Sequence, residues 1–304
     1  MTDGLVRRLV TTRPVDLEAT LGPLRFGRDP SWGRLSPGVL AKASLTPQGP
    51  GVEFLRVDIG AGEVVQEAFG PGADWLAARL PELIGESDDP REFNPPEVLL
   101  PIVRRHPGLR VPRSRLVVES LVPVVIGQKV TGVEAGASYR RLVLALGTPV
   151  GVGPLPQLVV PPSPEQWRAV PSWQWHRAGV GPDRAGTVVA AMSRAGPLER
   201  LVETSCSEAR RGLMSLRGVG EWTAAEVAQR VFGDADAVSV GDFHTAKSIV
   251  YVLTGTRNGT DQQMLELLED FRGHRFRVQR LVELGHVKQP RRGPRYRGLD
   301  HRNR

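Results

Sequence analysis

The chain has 304 residues, a length that is enough for two globular domains. Of these residues 40% are hydrophobic and 24% are charged, a composition that excludes disorder of the whole chain. No run approaches the ~18 consecutive apolar residues of a membrane span, and MTDGLVRRLV lacks the apolar centre of a secretory signal. We therefore expect a cytoplasmic protein with no membrane partner. The single cysteine, Cys206, excludes an intrachain disulfide and a cysteine-ligated iron–sulfur cluster.

The net charge of +7 is concentrated in two segments. Residues 101–141 hold eight basic and two acidic residues, and residues 286–304 hold seven and one, whereas residues 1–100 hold ten and fifteen. Local basicity indicates a nucleic-acid footprint, with Arg104, Arg105, Arg110, Arg113 and Arg115 as candidates. A GC-rich codon bias accounts for the charge equally well, since only four of the forty basic residues are lysine.

Residues 1–96 are rich in strand and turn patterns. Short segments at 39–45, 52–58 and 64–69 alternate partly between apolar and polar residues and are separated by Pro- and Gly-containing turns. Residues 73–84 have a helical period, and the acidic stretch 85–96 is the linker candidate. The sequence predicts a small antiparallel β-rich N-terminal domain over 1–96.

From residue 97 the patterns become helical. Thr131 and Glu134 form a capping box, and Pro123 interrupts or kinks an apolar helix. Residues 147–164 are predicted as a Gly- and Pro-rich loop. Helices are predicted at 117–126, 131–146, 164–169, 182–194, 207–213, 222–232, 242–253, 262–270 and 277–284. The fold class is therefore α+β, with an all-α core over 97–288 and a basic tail, 289–304, that is disordered alone.

A hairpin over 213–225 is the most informative segment. Gly218-Val219-Gly220 lies between two helical patterns, and Thr223 is in the first turn of the second. The amides of that first turn have no intrahelical partner, so they form a phosphate site without sequence specificity. Val219 would turn inward and hold the hairpin closed. A plain corner between two helices is the alternative.

Asp242 follows Gly220 by 22 residues and stands at the start of a predicted helix. Its carboxylate caps that helix on one interpretation. On the other, it faces the same cleft as the hairpin and takes part in catalysis. Neither segment alone decides between these interpretations.

Together these segments resemble the helix–hairpin–helix (HhH-GPD) DNA glycosylases, in the branch of bacterial 3-methyladenine DNA glycosylase II. Residues 216–224, LRGVGEWTA, match the family hairpin, with Arg217 in place of its proline, and Asp242 follows at the family spacing. Residues 126–128, Ile-Gly-Gln, resemble the turn that the family inserts into the duplex. The resemblance covers about residues 100–285 and implies a mainly α-helical glycosylase core.

The resemblance also implies roles for individual residues. Asp242 would be catalytic, and Trp222 would form one wall of the base pocket. Lys129 occupies the place of the family's apolar wedge, which a lysine fills less well, so either Gln128 or another residue fills the gap, or the alignment is shifted by one residue. No cofactor is required, but family members often hold a monovalent cation, sodium or potassium, through hairpin carbonyls, here those of Met214, Leu216 and Val219. The residues expected to contact DNA are Gly218, Val219, Gly220, Thr223, Gln128 and Lys129.

Bifunctional members have a lysine where this chain has Trp222, and an indole cannot form a Schiff base. The resemblance thus implies a monofunctional enzyme of base excision repair that flips out and hydrolytically excises alkylated bases, such as 3-methyladenine, from damaged duplex DNA. An electron-rich pocket around Trp222 would favour cationic bases. We expect a monomer, because a lesion has no two-fold symmetry.

Three alternatives remain at this point. A catalytically silent helix–hairpin–helix DNA-binding module would have no use for Asp242 beside a phosphate backbone. An oxidised-base glycosylase with lyase activity would need an amine in place of Trp222. A structural or partner-binding protein leaves the hairpin and its spacing to Asp242 unexplained.

Overall fold

A five-stranded antiparallel sheet forms the N-terminal part of the computed structural model, which describes residues 4–151 and 158–286. Its strand order is β1-β5-β4-β3-β2. The long central hairpin pairs Val39 with Arg56 and Thr46 with Gly49. The strands are β1 (Leu5–Val10), β2 (Trp32–Ser36), β3 (Val39–Thr46), β4 (Gly49–Asp58) and β5 (Glu63–Phe69).

The remaining described residues are mostly helical. The first helix precedes β2, the second follows β5, and the others follow in chain order. They are α1 (Leu17–Leu21), α2 (Ala73–Leu83), α3 (Leu100–Arg105), α4 (Val117–Ile126), α5 (Gly132–Leu146), α6 (Pro164–Arg168), α7 (Ser172–Ala178), α8 (Pro182–Met192), α9 (Ala195–Glu199), α10 (Cys206–Met214), α11 (Glu221–Val231), α12 (Thr245–Thr254), α13 (Asp261–Leu268) and α14 (Arg275–Leu284).

Two apolar cores hold the helices together. The larger one surrounds α4, in which Leu121, Val125 and Ile126 are fully buried. The smaller one joins α12, α13 and α14 around Met264 and Val278. The hairpin α10–α11 packs against the larger core, and Asp242 precedes the first helix of the smaller one, so the groove between the two cores is where the candidate site lies.

The predicted α+β fold is confirmed: a β-rich N-terminal part precedes a mainly helical core. The helix predicted from residue 242 begins three residues later, at Thr245. The capping box at Thr131 is present, and Pro123 lies inside α4 without ending it. The tail 289–304 lies outside the described residues.

The segment predicted as a loop over 147–164, within a core predicted to be all-α, instead contains a strand pair. β6 (Thr148–Val150) and β7 (Leu158–Val160) are antiparallel. Leu158 and Val160 pack on the apolar face of the N-terminal sheet, and the Val159 N–H donates to the Pro30 carbonyl at 3.0 Å. Burial against the first sheet therefore orders β7, through a tertiary contact that local composition does not reveal.

A backbone contact joins the two parts of the chain beside the groove. Gly27 has φ of +62°, and a Cβ atom built there would lie 3.1 Å from the Gly136 Cα of α5. Such an approach excludes any side chain at either position without a shift of backbone. The contact places the Arg25–Gly27 segment of the N-terminal part against the helical core.

Among the described residues, no helix combines the length and the apolar character that crossing a bilayer requires.

Candidate active site

The hairpin between α10 and α11 is closed by its apolar side chains. Leu216 and Val219 are buried in the larger core, and the Val219 N–H donates to the Leu216 carbonyl at 3.1 Å. Gly218 has φ of +87°, and a Cβ atom there would overlap the Thr187 hydroxyl. Glycine is therefore required at 218 both by conformation and by space.

The outer surface of the hairpin presents backbone to solvent. Arg217, Gly218 and Gly220 are exposed, and Gly220 caps α11 without a side-chain hydrogen bond to the first turn. The first amides of α11 are thus available to an anion, and the helix dipole favours one. The Thr223 side chain, in contrast, is buried.

Gln128 and Lys129 have different environments, although they are adjacent. The Gln128 side-chain amide donates to the Gly218 carbonyl and to the Thr223 hydroxyl, both at 2.8 Å. Lys129 is exposed at the groove with φ of +58°, a conformation that non-glycine residues rarely adopt. Of the two, Lys129 has the exposed side chain and Gln128 is bonded to the hairpin.

Asp242 is held by hydrogen bonds from the start of α12. Its Oδ1 atom accepts from the backbone N–H groups of His244 and Thr245, both at 2.8 Å, and from the Thr245 hydroxyl at 2.9 Å. All three bonds that the described residues make to this carboxylate end on Oδ1. The capping interpretation and the functional one are therefore compatible, since Oδ2 stays available to a ligand.

A groove of about 1530 Å³ brings the predicted residues together. Its lining comes from the loop after α4, the hairpin, the segment before α12 and the N-terminal part. Among the predicted residues it includes Gln128, Lys129, Gly218, Gly220, Trp222, Thr223 and Asp242. Val219 is buried beneath this surface, and Met214 and Leu216 do not line it.

A smaller cavity of about 340 Å³ opens beside the groove, between α11, α12 and α14. Glu226, Asp242 and His244 line both spaces, so the candidate catalytic carboxylate stands where they meet. The other residues that line the cavity are Thr245, Ser248, Ile249, Gln279, Val282, Glu283 and His286.

Trp222 lines the groove but not the smaller cavity. It is half-buried against the larger core, and its indole N–H is buried without a partner among the described residues. The indole therefore combines a core contact with a place on the groove wall.

The sequence analysis missed Glu226, Arg230 and Phe26. Glu226 stands one helical turn after Trp222, and this i,i+4 spacing could have indicated that both face the same space. Arg230, four residues further on, pairs with Glu226 at 2.9 Å and lies over the Phe26 ring, 5.2 Å from its centroid. Both Phe26 and Arg230 line the groove.

The predicted basic footprint over 101–141 is partly wrong. Arg110 is fully buried and pairs with Glu86, while Arg113 donates to the Val202 carbonyl at 2.6 Å. Arg115 pairs with Glu82 and Glu203. These three guanidinium groups have partners within the protein, so of the five candidate arginines only Arg104 and Arg105 are exposed.

No family model matches the chain. The probable bifunctional transcriptional activator/DNA repair enzyme AlkA of Mycobacterium tuberculosis is 34% identical over 145 residues, which are 46% of this chain and 28% of that protein. The match thus spans less than a third of that relative.

Solved structures match over nearly the whole chain. A 3-methyladenine DNA glycosylase from Archaeoglobus fulgidus has a TM-score of 0.77 and 20% identity, covering 91% of this chain and 97% of its own. An 8-oxoguanine glycosylase/lyase of Clostridium acetobutylicum, solved with double-stranded DNA, has a TM-score of 0.70 and 14% identity, covering 94% and 98%. The resemblance found in the sequence is therefore confirmed, and the chain has the fold of the helix–hairpin–helix DNA glycosylases.

Proposed function

We propose that the protein is a monofunctional DNA glycosylase that excises alkylated bases, such as 3-methyladenine, from damaged duplex DNA. The observation that carries the proposal is the position of Asp242, a carboxylate where the groove of about 1530 Å³ meets the cavity of about 340 Å³. The 3-methyladenine DNA glycosylase of the same fold and the DNA repair relative in sequence support it.

In the proposed complex, a phosphate binds the amides of the hairpin, since Gly218 and Gly220 leave the backbone open. Lys129 stands at the gap that the flipped nucleotide leaves, and its ammonium group is also within reach of the strand. The residues assigned to DNA contact are thus Gly218, Val219, Gly220, Thr223, Gln128 and Lys129, with Gln128 and Val219 acting through the shape of the hairpin.

The flipped base enters the smaller cavity and its sugar lies beside Asp242. Alkylation at N3 or N7 makes a purine positively charged and hence a good leaving group. The Asp242 carboxylate then stabilises the positive charge that develops on the sugar, and its Oδ2 orients the attacking water. Water replaces the base at C1′, which leaves an abasic site.

A cofactor is not needed for these steps. A monovalent cation, sodium or potassium, would add positive charge beneath the bound phosphate if the carbonyls of Met214, Leu216 and Val219 held it. The Leu216 carbonyl accepts from the Val219 N–H, which uses one of its two lone pairs. No step of the proposed reaction depends on this ion.

The absence of lyase activity rests on Trp222, which supplies no amine at the position where bifunctional members have lysine. Lys129 is an amine on the same groove, so the claim needs a direct test. The enzyme would act as a monomer in the cytoplasm, with residues 1–96 and 97–288 as its two domains.

The deciding experiment is base release from methylated duplex DNA, with strand breaks scored before and after alkali and with borohydride present. Free 3-methyladenine, breaks only after alkali and no covalent trapping support a monofunctional glycosylase. Breaks without alkali, together with trapping, contradict the claim of no lyase activity. Salt-sensitive duplex binding without release indicates the silent binding module instead.

A further inference from the structure

The smaller cavity has an unusual lining for a space that would hold an aromatic base. It contains three carboxylates, those of Glu226, Asp242 and Glu283, and neither lysine nor arginine lines it among the described residues. Phe, Tyr and Trp are likewise missing from that lining. Stacking on Trp222, which faces the groove, therefore cannot explain how this cavity would choose its base.

Glu226 is held firmly at the boundary between cavity and groove. One carboxylate oxygen accepts from the Ser239 hydroxyl, and the other pairs with the Arg230 guanidinium at 2.9 Å. Ser239 is in turn bonded to the Gln279 side chain at 3.2 Å, and Gln279 donates to Glu283 at 3.1 Å. One chain of hydrogen bonds thus links two of the three cavity carboxylates.

The negative charge of Glu226 also neutralises the Arg230 guanidinium. The guanidinium lines the groove and is fixed by a 2.7 Å bond from its Nε to the Pro23 carbonyl and by the Phe26 ring. Both side chains of the pair are largely buried, at 12% and 15% exposed, so the surrounding water screens them weakly. Without Glu226, the Arg230 guanidinium would be an unpaired positive charge on the groove wall, beside the mouth of the cavity.

We propose that Glu226 determines specificity: its carboxylate places a negative group on the wall of the base cavity and offsets the charge of Arg230, so that the site favours positively charged bases by charge rather than by aromatic stacking. The inference rests on the proposed glycosylase function. It assigns Glu226 no part in bond cleavage.

The test compares Glu226→Gln, Glu226→Asp and the control Glu266→Gln in single-turnover base release. The substrates are duplexes containing 7-methylguanine, which is cationic, or hypoxanthine, which is neutral. Glutamine keeps the size of the side chain and can still accept from Ser239, whereas aspartate keeps the charge. Glu266 is exposed on α13 and lines neither space, so its variant controls for the loss of one negative charge.

We expect Glu226→Gln to slow 7-methylguanine release by about tenfold or more, because a charge interaction at low screening is lost. Glu226→Asp should keep most of the wild-type rate, and hypoxanthine release should not fall. An unchanged rate in Glu226→Gln, equal losses in the Gln and Asp variants, or a parallel loss on hypoxanthine would overturn the role of Glu226. If the wild-type protein releases no base at all, the proposed function itself fails, and the inference with it.

Discussion

Gln128 joins the loop after α4 to the hairpin through one amide nitrogen, which is 2.8 Å from both the Gly218 carbonyl oxygen and the Thr223 hydroxyl oxygen. The resemblance placed Gln128 and the hairpin on the DNA surface as separate contacts. In the structure they form a single unit, because the side chain that could have entered the duplex is bonded to the hairpin.

Replacing Gln128 should therefore destabilise the protein. Gln128→Leu leaves the buried Thr223 hydroxyl without its donor, and we expect the free energy of unfolding to fall by about 1–3 kcal/mol. Urea denaturation of Gln128→Leu, Thr223→Val and the double variant measures the coupling, which should be about 1 kcal/mol. Strictly additive effects would contradict the bond, and Gln262→Leu on the exposed face of α13 serves as control.

Asp242→Asn should abolish base release and spare DNA binding. The amide cannot stabilise a developing positive charge, so we expect the rate to fall by about 10²–10⁴-fold. Duplex affinity should stay the same or rise, because one negative charge near the phosphates is gone. Single-turnover kinetics and fluorescence anisotropy measure the two effects, with Asp270→Asn as a control on exposed surface. Preserved turnover would remove Asp242 from the mechanism.

Exposed and buried arginines should differ in their effect on the salt dependence of DNA affinity. Arg217 is exposed on the hairpin, so Arg217→Ala should weaken duplex binding and reduce the slope of log affinity against log salt by about 0.9. Arg110 is buried against Glu86, so Arg110→Met should cost about 3–5 kcal/mol of unfolding free energy and leave the slope unchanged. A reduced slope in Arg110→Met would indicate that Arg110 does contact DNA.

Glu199 predicts a pH dependence of stability. Its carboxylate accepts from the Val117 and Val118 N–H groups at 2.9 and 2.8 Å, and burial raises the pKa of Glu199 to about 7, from a usual value of 4.5. Between these values the native state holds a proton that the unfolded state lacks, so the free energy of unfolding falls as the pH rises, by about 3 kcal/mol from this group.

Glu199→Gln should lose this component, because glutamine does not titrate. Its stability at low pH should be slightly lower than that of the wild-type protein, since an amide cannot accept from both N–H groups through its two terminal atoms. Urea unfolding of both proteins at about pH 5, 6, 7 and 8 checks the expectation. Curves that stay parallel over that range would contradict it.

Local sequence patterns predicted most of the helices and strands, because the buried residues of these elements recur with the helical or strand period. The strands β3, β4 and β5 lie within a few residues of their predicted positions, as do α4, α5 and α11. Strand β1 was missed because it is an edge strand whose residues are mostly exposed, so no alternation marks it. Strand β7 was missed because its partner face belongs to a distant segment.

The same distinction between local patterns and distant contacts applies to the residues of the site. The hairpin and Asp242 could be predicted, since their chemistry depends on local backbone and spacing. The spacing of Glu226 from Trp222 could have indicated its position, but its hydrogen bonds could not be predicted, because Ser239 and Gln279 reach it from two other places in the chain. For the same reason a count of charges could not reveal the distant partners of Arg110, Arg113 and Arg115.

The contact between Gly27 and Gly136 determines how far apart the walls of the groove stand. Both residues line the groove, and each would place a Cβ atom within 3.2 Å of the other's backbone. A larger residue at either position would push the Arg25–Gly27 segment away from α5, and Phe26 would move with that segment. The width of the groove is therefore set by main chain packed against main chain, and we expect Gly136→Ala to shift the Arg25–Gly27 segment away from α5.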